Sequence, residues 1–153
     1  MRNIAIALLV LFGFLGGFLG QTVTADPKPN FSGRWEGVQT IQSEMPRVVA
    51  DVVFTIQETT GQLSGEIRFA SRSRDSLKPK SKWQPGEKFG GPILSPQVEG
   101  KVLKFGVTLR LSDGKEKIKN FRMEMIGPNR AILQPAEDLI VDMSADMRRK
   151  PSK

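Results

Sequence analysis

Two stretches of this chain sort their side chains with a period of two. Over residues 48–58, Val48, Ala50, Val52, Phe54 and Ile56 fall on one side, and Val49, Asp51, Val53, Thr55 and Gln57 on the other. Over residues 101–112, Leu103, Phe105, Val107, Leu109 and Leu111 share a side, opposite Lys104, Thr108 and Arg110. Successive side chains of a strand point to opposite faces, so this spacing predicts strands with one dry face. No stretch after residue 25 carries a helical period. A chain so patterned folds as antiparallel sheet with one face turned to a core.

The remaining segments fit the same scheme. Strands are expected at 33–42, 63–71, 93–99, 115–126, 130–134 and 139–143. Thr59-Thr60-Gly61-Gln62, Gly100, Asp113-Gly114 and Gly127-Pro128-Asn129 supply the turns between them. Breaks in apolar phase at Gly37 and at Lys119-Asn120 predict bulges, and Pro96 predicts a bulge or an edge. Eight strands joined largely by short turns predict an all-β fold, an eight-stranded up-and-down antiparallel barrel. A two-sheet sandwich is the competing architecture. Closure removes exposed strand edges. A barrel of this size is filled by side chains or holds one small ligand. The barrel domain is read as residues 26–145, and residues 146–153, rich in Arg and Lys, as a basic disordered tail.

The first strand opens on Phe31-Ser32-Gly33-Arg34-Trp35-Glu36-Gly37. Phe31, Gly33 and Trp35 share a face, and Gly33 leaves room for a bulky neighbour beside the indole. Such a Trp is suited to plug one end of a barrel, where its N–H finds a partner. Gly-x-Trp at the start of the first strand resembles the opening of the calycins, the group that includes lipocalins, fatty-acid-binding proteins and avidins. The resemblance implies a closed barrel, an interior ligand and an Arg packed on the Trp. Arg148 and Arg149 are the two candidates for that Arg. Barrels of this kind also serve as inhibitors of secreted proteases.

Residues 1–25 read as a secretory signal peptide: Arg2, an apolar run over 4–19, then Val23-Thr24-Ala25. The apolar core falls short of the roughly 20 residues a membrane span needs. The expected location is secreted or periplasmic, with no transmembrane span in the mature protein. Cleavage leaves 128 residues, enough for one core, and removal of Arg2 lowers the formal charge from +7 to +6. Without Cys the fold rests on packing alone.

The chain has no His, Cys or Tyr. Ser-His-Asp and Cys-His nucleophilic sites are thereby excluded, as are His and Cys metal sites. Paired carboxylates are the remaining catalytic option, with Glu124 and Asp142 the pair able to meet across strands. Solvated outer-face carboxylates are the simpler reading, so no enzyme, no cofactor and no metal is expected. Two binding readings stay open. In the first, a small apolar ligand occupies the interior among Trp35, Phe54, Phe69, Phe105 and Phe121, with Trp83 and Phe89 at the mouth. In the second, residues 72–92 form a long basic aromatic loop. There Arg72, Arg74, Lys78, Lys80, Lys82 and Lys88 grip an anionic polymer or a protein by charge and stacking. Export removes specific nucleic acid as a partner, and a monomer is expected.

Overall fold

The computed structural model describes residues 28–42, 47–75, 77, 78, 80–110, 114–137 and 144–151. The expected leader and the strand expected at 139–143 lie outside them. Eight strands follow in chain order: β1 Gly33–Gln42, β2 Arg47–Thr59, β3 Gln62–Arg74, β4 Gln84–Glu99, β5 Val102–Arg110, β6 Glu116–Gly127, β7 Arg130–Pro135 and β8 Ala145–Lys150. Each pairs antiparallel with the next, and β8 pairs with β1 to close the barrel. The sandwich alternative is thereby excluded.

At one end the strands turn through two-residue loops, at Thr60-Gly61, Gly100-Lys101 and Pro128-Asn129. The lead-in residue Phe31 plugs this end beside Trp35, both almost fully buried. The opposite end is formed by the strand ends Gln42, Arg47, Arg74, Gln84, Arg110, Glu116, Pro135 and Ala145. The inward rows of β2 and β5 are those the alternation predicts: Val52, Phe54 and Ile56 face Leu103, Phe105 and Val107 in one core. Five phenyl rings run through its middle in a continuous series. Phe54 lies 4.9 Å from Phe105, Phe105 5.9 Å from Phe121, Phe121 5.7 Å from Phe69, and Phe69 4.9 Å from Phe89.

Closure comes from a segment the sequence reading placed in a disordered tail. Residues 145–150 form β8, and Trp35 lies opposite Arg149 while Gln39 lies opposite Ala145. Only Ala145 and Met147 are apolar in this strand, too few to register as a period, yet both are fully buried. Asp146 and Lys150, in the alternate row, point outward to complementary neighbours. Asp146 meets Arg130 of β7 at 2.9 Å, and Lys150 meets Glu36 of β1 at 3.4 Å. Gly37 makes the seam possible, since a Cβ there would lie 2.6 Å from both the Asp146 carbonyl oxygen and Met147 Sδ.

The strands also differ from the sequence reading in three places. First, β3 runs on to Arg74 and β4 begins at Gln84, so the irregular connection is 75–83 and not 72–92. The glycines and prolines of 84–92 serve the sheet. A Cβ on Gly90 would lie 2.2 Å from the Ile67 carbonyl oxygen, so this position admits the close approach of β3 only because it is Gly. Second, β1 shows no shift at Gly37; its irregularity falls between Thr40 and Gln42. Val38 faces solvent and Gln39 is buried, the reverse of their polarity. Third, β5 and β6 pair without a break through Lys119 and Asn120. Ile118 points out, at 56 % exposure, and Lys119 takes the inward phase opposite Val107. The bulge expected at Pro96 is present, between Leu94 and Gln97.

Phe105 touches two rings of the series, Phe54 and Phe121, and is almost fully buried. Phe105→Ala is expected to destabilise the barrel by about 3–5 kcal/mol, the range for removing a buried Phe. Urea unfolding followed by near-ultraviolet circular dichroism measures this. A loss below about 1 kcal/mol contradicts a filled interior.

Candidate functional site

Six of the candidate ligand-binding aromatics come together inside the barrel. Trp35, Phe54, Phe69, Phe105 and Phe121 are buried, and Phe89 is half-buried against Phe69 in a near-parallel stack. Trp83 does not join them. Arg72 and Arg74 occupy the outward phase of β3, and the indole of Trp83 packs on both. The two guanidinium carbons lie 4.9 and 4.8 Å from its ring centre. Two cations thus share one π face system, each gaining from the ring quadrupole while repelling the other.

The surroundings bring one carboxylate and two further cations. Arg72 is tied to Asp51 of β2 through Nη2 at 2.9 Å. Arg47 lies directly opposite Arg74 in the β2–β3 register, a like-charge pair of the kind that destabilises a ladder. Lys88 stands opposite Ala70 on β4 and is exposed. Val49, next to Arg72 across the ladder, is buried although it belongs to no part of the interior cluster. The Arg72, Trp83 and Arg74 stack is therefore a small packed layer on the outside of the wall.

The connection that follows is built on Asp75. Its Oδ1 accepts from the Leu77 N–H at 3.0 Å, and its carbonyl accepts from the Lys78 N–H at 3.2 Å. The Ser81 N–H then reaches the Lys78 carbonyl at 2.7 Å. These bonds hold a turn that presents Leu77, Lys78, Lys80 and Lys82 to solvent. The six basic residues predicted for one loop thus occupy three elements: Arg72 and Arg74 on β3, Lys78, Lys80 and Lys82 on the turn, and Lys88 on β4. Sequence reasoning missed Arg47 and the outward packing of Val49. Both follow from register, which no local pattern announces.

The opposite end is latched by Trp35. Its Nε1 donates to the Phe31 carbonyl at 2.8 Å, and Arg149 lies 4.6 Å above the indole. Of the two candidate arginines it is Arg149 that packs there; Arg148 points outward. The aliphatic stem of Arg149 packs beside Gly33, 3.5 Å from where a Cβ would stand. Its Nη2 donates to the Asn30 carbonyl. Burial holds its pKa below the usual guanidinium value.

Several of the described carboxylates are tied to cations. Glu124 pairs with Arg122 at 3.4 Å, and Asp142, its proposed catalytic partner, lies outside the described residues. The bond from Arg34 holds the Glu36 carboxyl below its usual value, with Lys150 assisting. Arg68 does the same for Glu66, in a pair joined by two hydrogen bonds. A general acid at neutral pH needs the opposite shift. No group of three His, Cys, Asp or Glu able to hold a metal occurs among the described residues.

Carboxyls lowered in the fold bind protons more readily once unfolded. Their stabilisation is present above the ordinary carboxylate pKa of about 4.3 and is lost as pH falls through the lowered values. The melting temperature is expected to drop between pH 7 and pH 3, and to drop less in a Glu36→Gln, Glu66→Gln double variant. An equal drop in both proteins contradicts these pairings.

Comparison of the chain with known protein families, with curated proteins and with solved structures finds no match.

Proposed function

We propose that this chain is an exported, monomeric, non-enzymatic barrel of calycin type whose cationic outer face holds an anionic polymer of the cell envelope. The reading rests on one observation: Trp83 is packed by Arg72 and Arg74 on the outside of the wall, with Arg47 set opposite Arg74. Asp51 offsets part of this charge at Arg72, and a polyanion laid across the face adds to that compensation. The turn carrying Lys78, Lys80 and Lys82 stands beside the stack and extends the positive field. Its internal hydrogen bonds lower the ordering cost of binding.

A small apolar ligand inside the barrel is the other function the opening motif implies. Such a ligand would need the space that the Phe54, Phe105, Phe121, Phe69 and Phe89 series occupies. The outer face requires no such displacement and is the preferred site. An acidic protein surface is the competing partner for it.

Retention on immobilised anionic polysaccharide at low salt tests the reading. A lysine near an anionic surface contributes about 1 kcal/mol. Replacing Lys78, Lys80 and Lys82 together by Gln should therefore weaken binding roughly a hundredfold and shift elution to lower salt. The control variant Lys104→Gln, on another part of the wall, should elute like the parent. Unchanged retention of the triple variant rejects the outer-face site.

A further inference from the structure

A groove lies at the latched end, remote from the Trp83 stack. The lead-in segment crosses that end and forms one wall of the groove, whose volume is about 610 Å³. The turn between β6 and β7 forms the other wall. The floor is apolar: Met125 packs on the core, while Ile126 is 49 % exposed and stands beside Pro128. Three cations, Lys28, Lys101 and Arg149, reach the same groove, and among the described residues no Asp or Glu lines it. Lys28 is engaged by Glu58 at 3.3 Å, outside the groove, which leaves Lys101 and Arg149 as its principal charges.

The walls are set before any ligand arrives. The Met125 N–H donates to the Lys101 carbonyl at 2.9 Å, and the Arg149 N–H to the Asn129 carbonyl at 3.0 Å. Arg149 is further fixed by Trp35 and by the Asn30 carbonyl. Its Nε is buried without a hydrogen-bond partner among the described residues. An exposed Ile on an apolar floor favours a hydrocarbon. The paired cations Lys101 and Arg149 favour an anion. The volume lies within the usual range for small-molecule sites, about 300–1,000 Å³.

We propose that this groove binds a small amphiphilic anion, with its head between Lys101 and Arg149 and its hydrocarbon along Met125, Ile126 and Pro128. The site uses none of the residues of the outer cationic face, so either assignment stands or falls alone.

Titration calorimetry with dodecanoate below its micelle concentration tests the proposal. Dodecyltrimethylammonium matches the tail with opposite charge, and acetate supplies the head alone. Dodecanoate is expected to bind, the ammonium at least tenfold more weakly, and acetate without measurable heat. Dodecyl phosphate distinguishes the head: tighter binding assigns a phosphate monoester to the site, weaker binding a carboxylate. Lys101→Glu and Ile126→Asp, both on the surface, should each weaken dodecanoate at least tenfold, whereas Lys80→Glu should leave it unchanged. On binding, the methyl resonance of Met125 should shift and that of the interior Met123 should not. Equal affinity for the ammonium, unchanged affinity in both variants, or a shift led by Met123 would overturn the assignment.

Discussion

The barrel depends on one contact, the seam between β8 and β1. A strand pair left open at that point would present two rows of unpaired backbone groups, a standing invitation to aggregation. Six residues close it, and they do so because β1 has been thinned to receive them. Gly37 admits Met147, whose Sδ a Cβ would meet at 2.6 Å, and the stem of Arg149 packs beside Gly33. Between these two glycines Trp35 is covered by the Arg149 guanidinium and anchored through its own N–H to Phe31. Closure, the plugged end and the position of the lead-in are thus consequences of a single packing arrangement.

That arrangement shapes what the protein has to offer a partner. The interior is taken up by phenyl rings in contact, so rigidity is gained at the expense of a cavity. On the two proposals made above, binding passes to the surfaces that closure leaves. One is the cationic outer face around Trp83. The other is the groove beside the latch, which exists only because the lead-in is held down by Trp35 and Arg149. Both are assembled from residues distant in sequence, and both are pre-ordered by backbone hydrogen bonds.

Much of this was legible from residue pattern. Long strands with β-branched and aromatic residues, such as β2 and β5, announce their inward rows, and the two-residue turns follow from Gly, Asn and Pro. The errors have a common origin. Val38 and Ile118 are apolar and point outward, while Gln39 and Lys119 take inward positions. Reading polarity as direction therefore invented two phase breaks. In β8 the inward row is only Ala145 and Met147, and its register comes from Glu36, Arg130 and the glycines of β1. In β4 the density of Gly and Pro suggested a loop, whereas Gly90 is there because β3 passes too close for a Cβ. The cations of the outer face were legible as a group. Their division between two strands and a turn, and the seating of Trp83 on two of them, depend on cross-strand register and were not.

The central claim is that residues 145–150 are an integral wall of the barrel. Nuclear magnetic resonance addresses it directly, through cross-strand contacts between Trp35 and Arg149 and through amide exchange along both strands. Closure requires a Trp35 to Arg149 contact and slow exchange at the seam, matching the β2–β3 ladder. Fast exchange throughout residues 145–150, with no contact to β1, would contradict it.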